Sequence, residues 1–216
     1  MSSCGVLPAR VSGMRALKGR QLAIIAALGA AFAFFATKAS AAESPAPNTD
    51  TSADSTSDDE KIQAFLYMIR TLETGTYDAY DVFYGGAKFH DYSDHPVITG
   101  EMLGVSLPAS MCRNAGIASG NCDSTAAGAY QFNVPTWNEI RTISPRLPDF
   151  SPESQDVAAI RLLQKIGALD ALIAGDFDTA LHLASKRWAS LPFSTAQQNP
   201  KSYAYALSQY LDYLEA

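Results

Sequence analysis

Helix signals recur from Asp58 to the end of the chain, and one short stretch between them has the pattern of β-structure. Ser57–Glu60 has capping-box spacing before an amphipathic segment, and Ser151–Glu153 combines an N-cap residue, a first-turn proline and an acidic side chain. Val82–Phe89, by contrast, predicts two short strands around a Gly-Gly turn. The sequence therefore predicts an α+β domain, mainly helical, with a small β-hairpin region flanking a cleft.

Proline, glycine and capping residues set the bounds of the other predicted helices. One begins at Asn133–Pro135, and the others run from Ser151 to Ile166, Ala168 to Ala174, Asp178 to about Ser190, and Ser202 to Leu214. The pattern contains no alternation of strands and helices of the kind that builds a parallel sheet.

The first 41 residues have the composition of an export signal. They contain five basic and no acidic residues, an apolar run from Leu22 to Ala36, and the small-residue triplet Ala39–Ala41. The run is shorter than the roughly 20 residues that span a bilayer. We therefore expect residues 1–41 to be a signal peptide cleaved after Ala41, with an uncleaved signal anchor as the alternative. Either one predicts an exported protein, periplasmic or secreted.

Residues 42–57 lack bulky apolar side chains and predict a disordered linker. The folded domain is then 58–216, about 160 residues, which suffices for one hydrophobic core. Without residues 1–41 the chain keeps 11 of its 16 basic residues and all 22 acidic ones, a formal net charge of −11. That charge does not favour nucleic acid or an anionic membrane as a partner. We expect a monomer that meets a membrane only through an uncleaved leader.

Glu73 lies at the end of the first predicted helix, Ile62–Glu73, and the helix-stop pair Thr74-Gly75 follows it. Free carbonyls at a helix C-terminus disfavour a carboxylate, so Glu73 is predicted to hold its proton unusually tightly. A protonated Glu beside a cleft can protonate a glycosidic oxygen. Glu73 is thus the candidate general acid, and the alternative is a solvated residue at a helix end.

Cys112 and Cys122 remain once the leader is set aside, and in an exported protein we expect them to form a disulfide. Two free thiols are the alternative. His90, Asp91, Asp94 and His95 lie close together in sequence. Such a stretch, rich in Asp, Tyr and Ser, is more typical of a hydrogen-bonded loop than of a zinc site. We expect no metal ion and no other cofactor.

Several stretches of the domain form a recognisable series. They are Leu72–Thr76, Tyr80–Gly86, Phe89–Pro96, Ser124–Gln131, Phe150–Asp156, Gly167–Leu169 and Trp188–Pro192. In this order they resemble the lambda phage lysozyme family over nearly all of residues 61–193. The resemblance implies a lysozyme-like fold and a lytic transglycosylase that acts on the glycan strands of peptidoglycan and leaves a 1,6-anhydromuramic acid end.

The same resemblance implies roles for single residues. Glu73 matches the family's catalytic glutamate, and Asp81 matches a nearby acidic residue with an electrostatic or hydrogen-bonding role. Tyr130 and Gln131 match a glycan-binding segment, and Tyr92 matches the hairpin lip, so these three are candidate substrate-binding residues. The alternatives are a core position for Tyr130 and the capping of a strand or turn for Asp81. Trp188 is expected in the core.

Three departures from the family pattern affect the cleft. Ala129 stands where the family often has a basic residue, so one charged contact to substrate is expected to be missing. Glu101–Asp123, with its two cysteines, is longer and is expected to enlarge or stiffen one lip. Phe193–Pro200 replaces a glycine-rich loop.

One carboxyl group suffices if the muramic acid 6-hydroxyl attacks the anomeric carbon, because an intramolecular nucleophile has a high effective molarity. A hydrolytic muramidase remains an alternative, with its second carboxylate drawn from four candidates. These are Asp78, Asp81, Asp91 and Asp94. A non-catalytic peptidoglycan-binding module is a further alternative.

Overall fold

The computed structural model describes residues 56–114, 122–196 and 200–216. The predicted leader, its cleavage site and most of the linker lie outside the described residues. The helices are α1 Asp58–Thr74, α2 Pro96–Thr99, α3 Ala109–Asn114, α4 Val134–Arg141, α5 Pro152–Lys165, α6 Ala168–Ile173, α7 Phe177–Ala184 and α8 Tyr203–Leu214. The strands are β1 Val105–Ser106 and β2 Asp123–Ser124. The predicted α+β class, mainly helical, is confirmed. Within these ranges no helix has the length and apolar character to span a bilayer.

Helix α1 buries ten of its 17 residues. Its capping box is complete, since the Ser57 hydroxyl accepts from the Glu60 N–H and the Glu60 carboxylate accepts from the Ser57 N–H. The buried apolar side chains of α1 are Ile62, Ala64, Phe65, Leu66, Met68, Ile69 and Leu72. Helices α5, α6 and α8 pack against it. Each fully buried apolar side chain stabilises the fold by roughly 1.5–3 kcal/mol, so the helix is held firmly along its length.

One ion pair is buried between α1 and α5. Nη1 of Arg70 lies 3.3 Å from Oδ1 of Asp156 and donates to the Tyr130 hydroxyl at 2.8 Å. The Tyr130 and Tyr80 hydroxyls both donate to the same Asp156 oxygen, at 2.6 and 2.9 Å. Nε of Arg70 donates to the Tyr77 carbonyl at 2.8 Å. A buried pair needs such additional hydrogen bonds to offset its desolvation, and here they also fix the segment that follows α1.

The predicted hairpin at Val82–Phe89 is a turn with single bridges, so the prediction of two strands there is wrong. Val82 forms one antiparallel bridge with Lys88, while the next residue, Phe83, bridges instead to Ala127. The chain diverges after one pair because Phe83 pairs with a different segment. The two-stranded sheet is β1–β2, with Val105 opposite Ser124.

The segment between β1 and β2 carries the predicted disulfide. Cys112 and Cys122 are bonded, with their Cα atoms 5.8 Å apart. Cys112 lies in α3, and Cys122 comes directly before β2. The bond therefore lies within Glu101–Asp123, the longer segment that the sequence singles out as a lip of the cleft, and cross-links its second half.

Helices α5, α6 and α8 begin and end within one or two residues of their predicted bounds, but α7 does not. It ends at Ala184 rather than near Ser190. The chain then turns, and the buried Trp188 donates its indole N–H to the Tyr130 carbonyl at 3.1 Å. This tertiary hydrogen bond competes with continuation of the helix. Trp188 is in the core, as predicted, and the turn at residues 185–190 faces the end of α1.

Candidate active site

A cleft of about 430 Å³ opens at the C-terminal end of α1. Its lining residues are Glu73, Tyr84, Gly85, Leu107, Cys122, Asp123, Ser124, Ala126, Gln131, Asn133, Arg187, Trp188 and Ala189. They come from α1, the Gly-Gly turn, the loop after β1, Cys122 and strand β2, the 126–133 segment and the turn after α7. The volume lies within the roughly 300–1,000 Å³ typical of ligand sites.

Glu73 lies at the base of this arrangement, one residue before the end of α1. Gly75 caps the helix with φ of 82° and donates its N–H to the Thr71 carbonyl. Burial raises the pKa of Glu73 above its ordinary value, and hydrogen bonds from Ser190 offset part of that rise. The predicted direction agrees, but the main cause is burial rather than the helix end. Glu73 therefore stays protonated to a higher pH than an ordinary glutamate.

Ser190 holds one oxygen of the Glu73 carboxyl group. The Ser190 hydroxyl donates to Oε1 at 2.6 Å, and the Ser190 N–H approaches the same oxygen at 3.4 Å. Within the described residues, Oε2 accepts no hydrogen bond and no cationic side chain pairs with the carboxyl group. A carboxylic acid needs only one oxygen for its proton. Oε2 is thus the oxygen that can carry and deliver it.

No local pattern points to Ser190 as a partner of Glu73, since 117 residues separate the two. The available signal was its position in the Trp188–Pro192 stretch, one of the segments that carry the family resemblance. In that stretch the side chains of Trp188 and Leu191 are buried, and Ala189 between them lines the cleft.

Asp81 does not line the cleft with Glu73. Its carboxylate pairs with Lys88 across the Gly-Gly turn, and its backbone carbonyl accepts from the Phe89 N–H at 3.0 Å. The Asp81 side chain thus spans the Gly-Gly turn in an ion pair. That turn carries two of the cleft residues, Tyr84 and Gly85.

Tyr92 also lies outside the cleft lining. Its ring packs edge-on against Phe89 at 5.4 Å, and its carbonyl accepts from the Phe150 N–H at 2.8 Å. Partial burial raises the pKa of Tyr92, and the charge of Asp81 adds to the rise. Tyr92 therefore belongs to the same loop region as Asp81.

The assignment of Tyr130 to sugar contact is corrected by the structure. Its side chain is fully buried, and its hydroxyl is engaged by Arg70 and Asp156. Gln131 does line the cleft, with φ of 48°. Its Nε2 donates to the carbonyls of Gly128 and Val82 at 2.9 and 3.2 Å. Its amide oxygen accepts no hydrogen bond from any described residue, so a sugar hydroxyl could use it.

The His/Asp stretch near residue 90 is a hydrogen-bonded loop. His95 caps α2, with Nδ1 accepting from the Val97 N–H and Nε2 donating to the Phe132 carbonyl at 2.9 Å. Asp94 accepts from the Trp137 indole at 2.8 Å and pairs with Arg141. These contacts engage both ring nitrogens and both carboxylate oxygens. In the described ranges no group of three or more His, Cys, Asp or Glu residues could hold a metal ion.

The family follows from comparison with known proteins. A family model described as Endolysin matches residues 63–214. The chain belongs to the endolysin family. It is 38% identical to the endolysin of Escherichia phage P2 over 145 residues, which cover 62% of this chain and 80% of the phage protein. It is 37% identical to the endolysin of Escherichia phage lambda over 113 residues, 52% of this chain and 61% of that protein.

Solved structures give the same result. Bacteriophage lambda lysozyme complexed with a chitohexasaccharide matches with a TM-score of 0.58 and 30% identity, covering 71% of this chain and 94% of that one. A second structure of lysozyme from bacteriophage lambda matches with a TM-score of 0.54 and 31% identity, covering 72% and 93%. The predicted lysozyme-like fold and the family resemblance are confirmed. The protein is a peptidoglycan-cleaving enzyme of the lambda lysozyme type.

Proposed function

We propose that the protein is an exported lytic transglycosylase that breaks the β-1,4 bond between N-acetylmuramic acid and N-acetylglucosamine in peptidoglycan. The observation that carries the proposal is the Glu73 carboxyl group, half-buried at the cleft, with Oε1 held by Ser190 and Oε2 free of described partners. The chitohexasaccharide in the lambda lysozyme complex supports a sugar polymer as substrate for this cleft too.

The proposed reaction needs one carboxyl group in two successive roles. Protonated Oε2 of Glu73 gives its proton to the glycosidic oxygen as the bond to the muramic acid C1 breaks, leaving an oxocarbenium-like centre and a carboxylate. The 6-hydroxyl of the same sugar then bonds to C1 and returns its proton to Glu73. The products are a 1,6-anhydromuramic acid end and a free 4-hydroxyl on the departing sugar. Ser190 stabilises the transient carboxylate.

The other predicted site residues take supporting roles in this proposal. Gln131 offers its amide oxygen to a sugar hydroxyl from the cleft wall. The ion pair between Asp81 and Lys88 holds the turn that carries Tyr84 and Gly85. Asp81 therefore acts on the substrate indirectly, by keeping these two cleft residues in place. Tyr92 supports the same loop from its packing against Phe89.

Substitution of Ser190 by alanine tests the proton-holding geometry. Because the hydrogen bond from the Ser190 hydroxyl lowers the pKa of Glu73, its loss should raise that pKa further, and the alkaline limb of the kcat/KM profile should move to higher pH. We expect kcat to fall about tenfold, since a charge-assisted hydrogen bond to the transient carboxylate is lost. Ser208→Ala, which removes an exposed hydroxyl from α8, is the matched control. An unshifted alkaline limb would contradict the proposed role.

Product analysis tests the reaction itself. Purified sacculi digested with the domain should release muropeptides with 1,6-anhydromuramic acid ends, which weigh about 18 Da less than reducing-end products because no water is added. Mass spectrometry before and after borohydride reduction distinguishes the two, because an anhydro end is not reduced. Reducible ends would establish the hydrolase alternative, and no products would establish the binding-module alternative.

The hydrolase alternative has a specific candidate partner for Glu73. Asp123 lines the cleft, and its Oδ1 accepts from the Ser106 hydroxyl at 2.8 Å. Asp78, Asp81, Asp91 and Asp94, the candidates from sequence, are not among the residues that line this cleft. Reducible products that disappear in Asp123→Asn would therefore identify the second carboxylate of a muramidase.

Export to the periplasm or beyond is part of the proposal and is supported by the composition of residues 1–41. The Cys112–Cys122 disulfide supports it as well, since such bonds persist in oxidising compartments. Intact mass of the protein from an envelope fraction checks cleavage, with an N-terminus at Ala42 expected.

A further inference from the structure

Arg187 is the one cationic side chain among the described residues that line the cleft. We propose that Arg187 binds a carboxylate carried on the lactyl group of muramic acid, either the lactyl carboxylate of a bare strand or a carboxylate of an attached peptide stem. The inference rests on the proposed function and deepens it. It makes the cleft selective for muramyl glycans over uncharged polymers of N-acetylglucosamine.

The position of Arg187 is fixed by its neighbours. It lies in the turn after α7, where its N–H donates to the Ala184 carbonyl at 2.8 Å. The next residue, Trp188, is buried and anchored to the Tyr130 carbonyl. Ser190, three residues after Arg187, donates its hydroxyl to the Glu73 carboxyl group. One short turn thus carries both the cation and the group that orients the general acid.

The guanidinium of Arg187 has no partner among the residues that the structure describes. No described carboxylate lies within 4 Å of the guanidinium, and none of the guanidinium N–H groups donates to a described acceptor. The side chain is exposed and lines the cleft. Arg70 and Arg141, by contrast, pair with Asp156 and Asp94, and Arg161 donates to backbone carbonyls. A guanidinium presents a planar set of donors that fits a carboxylate with two parallel hydrogen bonds.

A second, smaller cavity of about 40 Å³ shares Arg187, Gln131, Asn133 and Trp188 with the cleft. It is lined by Arg187, Gln131, Asn133 and Thr136, together with Tyr130, Phe132, Leu162 and Trp188. Oδ1 of Asn133 accepts from the Thr125 N–H and hydroxyl, both at 3.3 Å. Its amide NH₂ has no described acceptor. Arg187 and the Asn133 amide thus place free donors on this side of the cleft, which suits an anionic ligand.

Charge supplies the reason such a group is needed. The chain without residues 1–41 has a formal net charge of −11, and peptidoglycan carries carboxylates at the lactyl and stem positions. Like charges disfavour association at low ionic strength. Ala129, where the family resemblance leads one to expect a basic residue, is fully buried. Arg187 gives a substrate carboxylate a cationic partner that no other described residue of the cleft lining offers.

Arg187→Gln tests the inference with three ligands that differ in charge. They are intact sacculi with peptide stems, amidase-stripped glycan strands that keep the lactyl carboxylate, and uncharged chitohexaose as a competitive inhibitor. We expect kcat/KM to fall about tenfold on a charged substrate, mainly through KM, because one charge-assisted interaction is lost. The inhibition constant of chitohexaose should change less than about twofold. Lys186→Gln, an exposed neighbour that does not line the cleft, is the control for net charge.

The pattern of losses identifies the source of the carboxylate. A loss on intact sacculi alone indicates a stem carboxylate, and a loss on stripped strands indicates the lactyl group. Equal weakening toward all three ligands, or no weakening, overturns the inference. Binding of both charged ligands is also measured with Glu73→Gln and Glu73→Gln/Arg187→Gln, so the inference is tested even if the unaltered protein cleaves nothing. That last result would refute the proposed function alone.

Discussion

Glu73→Gln is expected to abolish lysis of purified sacculi while the domain stays folded. The amide has nearly the same size and can still accept the Ser190 hydroxyl hydrogen bond, but it cannot give a proton to a glycosidic oxygen. Loss of a general acid that also serves as the base should lower the rate by about 10³-fold or more. Clearing of a sacculus suspension measures the rate, and circular dichroism with thermal unfolding measures the fold.

The matched control is Glu215→Gln, which makes the same change at an exposed residue directly after α8. It should lyse sacculi at the unaltered rate. Undiminished lysis by Glu73→Gln would remove Glu73 from the mechanism, and unfolding of that variant would show that its carboxyl group is required for stability instead. In that case Glu73→Asp, which keeps the acid but shortens its reach, separates the two effects.

Gly128→Ala is expected to destabilise the domain by about 3 kcal/mol or more. Gly128 has φ of 76°, a conformation that costs other residues roughly 1–2 kcal/mol. An added Cβ would also overlap Oε1 of Gln155 and lie 2.7 Å from its Cδ. Gln155 is buried and cannot move away without losing hydrogen bonds to the backbone of Ala129, Tyr80 and Phe150. Each buried hydrogen bond that is lost costs roughly 1–3 kcal/mol.

Gly175→Ala separates the two contributions. Gly175 has φ of 82° but no atom within 4 Å of an added Cβ, so only the backbone cost applies, about 1–2 kcal/mol. Thermal unfolding should show a melting temperature lowered by roughly 6–12 °C for Gly128→Ala and by a few degrees for Gly175→Ala. Equal shifts would mean that Gln155 adjusts without cost. Cleft residues Ala126 and Gln131 lie on either side of Gly128 in sequence. We therefore expect Gly128→Ala to slow sacculus lysis, and Gly175→Ala to lower stability without slowing lysis.

Local patterns were enough to predict α1 and the position of Glu73. The capping box at Ser57 and Glu60, the apolar periodicity and the stop at Gly75 are all read within a few residues of chain. The direction of the Glu73 pKa shift was predicted for the same reason. Its main cause, burial, depends on what packs over the end of α1 and could not be read from neighbouring residues.

Residues whose roles depend on distant contacts were predicted less well. Tyr130 lies in a stretch that resembles a glycan-binding segment, but its side chain is buried. Its hydroxyl accepts a hydrogen bond from Arg70 and donates one to Asp156, which offsets the desolvation of that ion pair. The end of α7 was missed because the Trp188 hydrogen bond to Tyr130 joins residues 58 apart in sequence. Ser190 went unrecognised for the same reason, since its position follows from where α7 stops.

The turn after α7 has a consequence for how enzymes of this shape can diversify. Arg187, Trp188, Ala189 and Ser190 are consecutive: the first three line the cleft, Trp188 with its side chain buried, and Ser190 bonds to the Glu73 carboxyl group. A residue inserted between Arg187 and Ser190 would change the spacing between the cation of the cleft and the group that holds Glu73. A change in the length of this turn would therefore alter the proposed carboxylate site and the hydrogen bond to the general acid together, whereas a side-chain replacement can alter either one alone.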